Sequence, residues 1–243
     1  MQNINCWESK FQPCQYSDQL LNAIAYLNTT VRMPTDIQTI KKANFYARVY
    51  HGDQIRKSGE PYYSHPLIVA YLFAFYVGKN IQKYYTTELI VIAILHDTIE
   101  DTRLTYEMIV EIFGKRIADG VQDLSRVVKN GAKHKACETL YILESEGKID
   151  IMYIKIFDRF HNVKTIHFMP NHKQLVIIGE TRDHFLPFVY KYELNEVGEE
   201  LREICAEITH PNQPYLQEAR GFNSNCQLSS QVFQNGIWRR KTQ

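Results

Sequence analysis

Apolar residues recur along this chain at the spacing of helices rather than in the alternation of strands. Over residues 17–30, Leu20, Leu21, Ile24 and Leu27 form one helical stripe. No window alternates apolar and polar positions over several strands, so we predict an all-α fold. The same spacing predicts further helices over residues 36–52, 66–77, 86–101, 105–113, 116–124, 136–147, 150–168 and 172–208, the last with a break near Pro187.

The amino-acid composition changes near the C-terminal end of the sequence. From Thr209 onward it is rich in Asn, Gln, Ser and Pro, which is typical of a tail that is mobile or loosely docked. We therefore predict three parts: an N-terminal extension over residues 1–16, one helical domain over 17–208 and a flexible tail over 209–243.

Composition and charge narrow the class of protein. Lys and Arg number 28 against 27 Asp and Glu, a formal net charge of +1, so a broad basic surface for nucleic acid is not expected. The longest apolar run, Leu67–Val77, is shorter than the roughly 20 residues that cross a bilayer as a helix. The start of the chain has no signal-peptide pattern, and the five cysteines form no CxxC pair. We expect a cytoplasmic protein without membrane or nucleic-acid partners; a homo-oligomer stays open.

The segment with the strongest chemical signal runs from Ile94 to Asp101. In a helix, at about 100° per residue, His96, Asp97, Glu100 and Asp101 would share one face. The apolar residues before them predict burial, and buried carboxylates are costly unless a positive charge compensates them. A divalent metal ion would do so, with the last two carboxylates free to hold water or protonate a leaving group. The alternative is an exposed helix end with a satisfied histidine.

Further candidate ligands occur at two other places. Asp158 interrupts another apolar run, with Asn162 and Thr165 following on the same helical face. His65 follows a Gly/Pro loop and precedes Pro66, which places it at a helix start. The candidate ligands are therefore His65, His96, Asp97 and Asp158. Their mixed nitrogen and oxygen donors suit Mn²⁺, Fe²⁺ or Zn²⁺. His161 is predicted to pack within the fold or to support a ligand rather than to bind metal, and His51, before Gly52, is predicted to be structural.

Three motifs together carry a family resemblance. RKSGEPYYSHP over 56–66, HDTIED over 96–101 and DRFHN over 158–162 resemble the HD-domain hydrolase half of the RelA/SpoT alarmone enzymes. The similarity extends over about residues 43–187, and the chain is similar to small stand-alone alarmone hydrolases, so alarmone synthesis is not expected. The resemblance implies an all-helical HD-domain bundle. It also implies Mn²⁺-dependent hydrolysis of the 3′-pyrophosphate of (p)ppGpp, which yields GDP or GTP and pyrophosphate.

The resemblance also implies roles for particular residues. The implied metal ligands are His65, His96, Asp97 and Asp158. The implied catalytic acidic pair is Glu100 and Asp101. The residues implied to bind the guanine nucleotide are Arg56, Lys57, Ser58, Asn162 and Thr165.

The chain departs from the family pattern in places, and other functions stay open. The region around Tyr84 and Tyr85 looks like an insertion, which we expect to lie away from the metal. One alternative is an HD phosphohydrolase for another nucleotide, such as the 2′-phosphate of NADPH. Another is a non-catalytic nucleotide-sensing module, whose expected signature, loss of a ligand or of the acidic pair, is not seen in this sequence.

Overall fold

The computed structural model describes residues 6–125 and 134–209, and these are helical as predicted. Within these ranges no β-strand occurs, only one isolated bridge between Ile55 and Pro61. The chain divides into two compact units between Phe168 and Met169. Residues 1–5 of the predicted extension and 210–243 of the predicted tail lie outside the described residues. The prediction of a single domain over 17–208 stays a prediction.

The first unit contains every predicted site residue, either in its helices or in the segments that join them. In chain order its helices are α1 (Trp7–Lys10), α2 (Gln15–Asn28), α3 (Ile37–His51), α4 (Ser64–Asn80), α5 (Thr87–Leu95), α6 (Thr98–Asp101), α7 (Tyr106–Phe113), α8 (Lys115–Leu124), α9 (Ala136–Ser145) and α10 (Ile149–Lys164). Short 3-10 turns cover Gln82–Tyr84 and Ile166–Phe168. Polar residues cap several of these helices: the carboxylate of Asp36 accepts from Gln38 N at 2.9 Å, and Thr86 Oγ1 accepts from Leu89 N at 3.2 Å.

Helices α4 and α5 form the centre of the first unit. In α5 every residue from Leu89 to Leu95 is buried, and α4 packs against α2, α5 and α10. Gly120 of α8 lies against α5 so closely that a Cβ there would stand 2.4 Å from Ile92 Cδ1. The apolar run of α4 is thus core, and none of the described helices is long and apolar enough to cross a membrane.

The segment that resembles an insertion is anchored in this core rather than standing apart from it. Tyr85 is 2% exposed, and its hydroxyl donates to Asn28 Oδ1 at 3.0 Å. Tyr84 packs its ring against that of Tyr153, with 5.2 Å between the centroids. Tyr85 in this segment therefore joins α2 to the end of α4.

The helix predicted over residues 86–101 is wrong in one respect, because it is broken at His96 and Asp97. The ring of His96 donates from Nδ1 to Ala93 O at 2.8 Å, and Thr98 Oγ1 donates to Leu95 O at 2.6 Å. These side chains compete for carbonyls at the end of α5, and a separate single turn, α6, follows. The break leaves His96 buried at 2% exposure, while Asp101 is exposed.

The second unit consists of α11 (Asn171–Glu180), α12 (Leu186–Lys191) and α13 (Asn195–Thr209). A π-helical turn, Thr181–Phe185, precedes Pro187, which lies in the first turn of α12. Proline lacks an N–H and clashes with the preceding turn of a regular helix, so the widened turn accommodates it. The helical structure is interrupted at residues 192–194 instead, between α12 and α13, where Glu193 has a φ of 61°.

Candidate metal centre

Three separate parts of the first unit bring histidine and aspartate side chains to one buried place. His65 lies in the first turn of α4, His96 follows α5, and Asp158 lies within α10. One ligand atom from each of these three residues lies within 4.8 Å of the other two. All three are nearly inaccessible, with exposures of 2%, 2% and 8%. The described residues thus contain a group that could hold a metal ion.

The fourth predicted ligand, Asp97, joins the same cluster. Its Oδ1 lies 3.2 Å from His96 Nε2, and its Oδ2 lies 3.6 Å from His65 Nε2. Asp158 Oδ1 lies 3.2 Å from His65 Nε2 and 3.8 Å from His96 Nε2. Two imidazole nitrogens and two carboxylates therefore converge.

The orientation of His96 suits a cation. Because Nδ1 donates to Ala93 O, the Nε2 atom faces the carboxylates of Asp97 and Asp158. This buried Nε2 has no hydrogen bond of good geometry among residues 6–125 and 134–209. A histidine that donates one ring nitrogen to a backbone carbonyl and aims the other at carboxylates has the arrangement of a metal ligand.

The electrostatics of the cluster also favour positive charge. Burial alone would lower the pKa of His96, but the carboxylates of Asp97 and Asp158 outweigh it and raise the pKa to about 10. Burial opposes ionisation of Asp97 as well, yet the nearby His96 holds the pKa of that carboxyl well below its usual range. The place between these residues therefore attracts a cation, whether a proton or a metal ion. Its nitrogen and oxygen donors fit the borderline divalent ions.

His161 lies directly behind His65. Their Nδ1 atoms are 2.7 Å apart, so one of the two rings must donate its proton to the other. Burial lowers the pKa of both histidines, which favours their neutral forms. The contact is compatible with our prediction that His161 packs beside a ligand.

The surroundings of Asp158 contain one residue that the sequence analysis missed. Lys155 is 5% exposed, and its Nζ lies 3.1 Å from Asp158 Oδ2. Asn162 donates from Nδ2 to Asp158 Oδ1 at 2.7 Å. A lysine between two isoleucines, three residues before an aspartate, was the available signal for this buried pair.

Some of the predicted nucleotide-binding residues meet beside the cluster. Arg56 Nη2 lies 3.4 Å from both Asn162 Oδ1 and Thr165 Oγ1. Ser58 donates to Glu60 Oε2 at 3.3 Å within the same turn. Lys57 is exposed in that turn, and no contact places it against the cluster. The turn depends on Gly59, whose φ of 86° is unfavourable for other residues.

The predicted acidic pair lies in α6, directly after the cluster. Asp101 is exposed and Glu100 is half-buried. The hydroxyl of Tyr62, which the sequence analysis missed, can donate its proton to Asp101 Oδ2 at 3.0 Å or to Asp97 Oδ2 at 3.1 Å. Burial and these two carboxylates raise the pKa of Tyr62, so the phenol stays protonated. The available signals were its place in the RKSGEPYYSHP motif and its position three residues before His65.

Comparison with known proteins identifies the class to which this fold and site belong. The family model for the HD domain matches residues 43–191, and the chain belongs to the HD-domain family. HD domains are metal-dependent, in agreement with the cluster of His65, His96 and Asp158.

Within this family the chain is of the RelA/SpoT type. It is 34% identical over 179 residues to the GTP pyrophosphokinase rsh of Brucella ovis, which covers 71% of this chain and 23% of that protein. It is 33% identical over 193 residues to the GTP pyrophosphokinase of Myxococcus xanthus, and this match covers 76% of this chain and 25% of that protein. It is 32% identical over 191 residues to the guanosine-3′,5′-bis(diphosphate) 3′-pyrophosphohydrolase of Aquifex aeolicus. This match covers 78% of this chain and 26% of that protein. The chain thus spans about a quarter of the length of these relatives.

Proposed function

We propose that this protein hydrolyses the 3′-pyrophosphate of (p)ppGpp to GDP or GTP and pyrophosphate, with Mn²⁺ bound. The observation that carries the proposal is the convergence of His65, His96 and Asp158 within 4.8 Å, in a chain of the RelA/SpoT type. The relative from Aquifex aeolicus whose name states this reaction supports hydrolysis. The other relatives are named as pyrophosphokinases, so the reaction itself has to be measured.

The proposed metal ligands are His65, His96, Asp97 and Asp158. A divalent ion held by them would supply Lewis acidity to a phosphoryl oxygen and to water. The chain prepares this place by burial and by hydrogen bonds behind the ligands. Ala93 O fixes the ring of His96, and Asn162 Nδ2 fixes the carboxylate of Asp158.

The proposed nucleotide site lies on the side of the cluster where Arg56 meets Asn162 and Thr165. The planar guanidinium suits stacking on a guanine base or a bidentate contact with phosphate. Its contacts with Asn162 Oδ1 and Thr165 Oγ1 orient this plane before substrate arrives. Lys57 and Ser58 complete the proposed loop, the lysine as an exposed point charge.

The proposed proton transfers belong to Glu100 and Asp101. In the reaction, water adds to the phosphorus atom bonded to the ribose 3′ oxygen, and the bond between these two atoms breaks. One proton leaves the water and one enters the 3′ oxygen, so the acidic pair has to accept one and donate one. The exposed position of Asp101, next to the buried cluster, suits exchange with substrate and solvent.

The first experiment measures release of pyrophosphate and GDP from ppGpp by the purified full chain with Mn²⁺. A chelator control and a parallel assay with NADPH accompany it. We expect turnover of ppGpp that the chelator abolishes. Dephosphorylation of NADPH without turnover of ppGpp would replace the proposal by a different nucleotide substrate. Mn²⁺ binding without either reaction would favour a nucleotide-sensing module.

A variant of Asp101 tests the proposed proton transfer. Asp101→Asn keeps the shape of the side chain but removes its basicity, so kcat should fall by about 10²–10⁴-fold while Mn²⁺ still binds. Asp119→Asn is the matched control, because Asp119 pairs with Lys115 at 2.7 Å on the surface of α8. Full activity of Asp101→Asn would remove this residue from the proposed mechanism.

A further inference from the structure

The hydroxyl of Tyr62 lies between two carboxylates with different proposed tasks. It lies 3.1 Å from Oδ2 of Asp97, a proposed metal ligand, and 3.0 Å from Oδ2 of Asp101, a proposed catalytic residue. A phenol has one proton, and both carboxylates are acceptors. A single O–H therefore connects the buried cluster to the exposed acidic turn.

The ring of Tyr62 is held in place from several sides. Its backbone N–H donates to Gln54 O at 2.8 Å. The ring stacks on His51, with centroids 4.8 Å apart, and meets His65 edge-on at 6.2 Å. His51 is itself 2% exposed, so the surface against which the ring packs is part of the core. The position of the hydroxyl is accordingly set by the fold.

The same loop contacts Asp101 a second time. Gln54 donates from Nε2 to the backbone carbonyl of Asp101 at 2.9 Å, and Gln54 Oε1 lies 2.9 Å from His51 Nδ1. Gln54 thus contacts the backbone of Asp101, while Tyr62 contacts its carboxylate. Because α6 is a single turn, these two contacts act together with the hydrogen bond from Asp101 N to Asp97 O at 2.9 Å to hold Asp101 beside Asp97.

We propose that Tyr62 is a positioning residue that aligns the carboxylate of Asp101 with that of Asp97. The inference rests on the proposed function for its catalytic consequence. Its structural part, support of Asp97 by the hydroxyl, is independent of the substrate. Residues that support a metal ligand by a hydrogen bond typically change metal affinity or activity by about 10–100-fold when they are altered.

Tyr62→Phe is the direct test, because it removes the hydroxyl and keeps the ring against His51. We expect the affinity for Mn²⁺, measured by titration calorimetry, to fall about 10-fold, and kcat for ppGpp to fall more than KM rises. Tyr63→Phe is the matched control: it removes the next hydroxyl along the chain, beside Arg48 and Tyr16. Melting curves of both variants verify that the fold is retained.

Two outcomes would overturn the proposal. One is an affinity of Tyr62→Phe for Mn²⁺ equal to that of the wild type and of Tyr63→Phe. The other comes from the double variant Tyr62→Phe/Asp101→Asn, assayed with enough Mn²⁺ to saturate every variant. If Tyr62 acts on turnover through Asp101, the kcat of the double variant equals that of Asp101→Asn, whereas multiplied losses at saturating Mn²⁺ would contradict the proposal. If ppGpp is not the substrate, the kinetic test fails for every variant, but the Mn²⁺ measurement still decides whether Tyr62 supports Asp97.

Discussion

Helices α5 and α10 both pack against α4 in the first unit and are both buried, but their side chains differ in chemistry. Over Leu89–Leu95, α5 buries seven consecutive apolar residues. Helix α10 buries Lys155, Asp158, Arg159 and His161 among its apolar residues. Burying apolar area stabilises a fold directly, whereas buried ion pairs contribute little because of their desolvation cost. We infer that α5 mainly supplies stability and that the polar groups of α10 serve the proposed chemistry.

The largest expected effect belongs to a change in α10. Asp158→Asn removes a charge that contacts His65, Lys155 and Asn162, and leaves the ammonium of Lys155 buried opposite a neutral amide. We expect turnover below detection, a greater loss than the roughly 10–100-fold typical of a residue behind a ligand. Mn²⁺ is also expected to raise the Tm of the wild type but not that of the variant, because the ion stabilises only a fold that binds it.

The matched control for this change is Asp150→Asn, in the first turn of the same helix. Asp150 pairs with Arg116, which is largely exposed, so its loss should leave both turnover and the Mn²⁺ effect on Tm in place. If Asp158→Asn gained as much Tm from Mn²⁺ as the wild type does, Asp158 would not be a ligand. The inference that the polar groups of α10 serve the proposed chemistry would then be wrong.

The next effect concerns stability and belongs to α5. Ile92→Ala should lower the free energy of unfolding by about 2–5 kcal/mol, because it opens a cavity beside Gly120. Urea denaturation measures the loss, and kcat per folded molecule should not change. Val49→Ala, at a side chain that is 50% exposed, is the control and should stay within about 0.5 kcal/mol. A stable Ile92→Ala protein that has lost Mn²⁺ binding would show that α5 also shapes the site.

The smallest effect tests the C-terminal end of α10, where Arg56 meets Asn162 and Thr165. Arg56→Ala removes the guanidinium plane, so KM for ppGpp should rise by about 10-fold, equivalent to roughly 1.4 kcal/mol, with little change in kcat. Lys57→Ala, in the same turn, should raise KM less, because its side chain is exposed. An unchanged KM for Arg56→Ala would exclude this end of α10 from the nucleotide site.

Local patterns were sufficient for the class of fold and for the candidate ligands. The apolar spacing predicted the helices, and the polar residues that interrupt apolar runs at His96 and Asp158 meet in one cluster. The helix break after Leu95 was not predicted, because it depends on side chains that bond to their own backbone carbonyls. The pairing of Lys155 with Asp158 was not predicted, because the residues around a lysine in an apolar helix do not indicate whether it has a buried partner.

The sequence by itself therefore determined the all-α class, the HD-domain resemblance of the RelA/SpoT type and the residue types of the site. Only the tertiary structure decided which of these groups touch. The contact between His65 and His161 joins residues 96 positions apart, and the contact between Tyr62 and Asp101 joins residues 39 positions apart. Periodicity describes one helix at a time. The first contact depends on how α4 and α10 pack, and the second on how the loop before α4 meets α6, so the side chains of several elements determine them together.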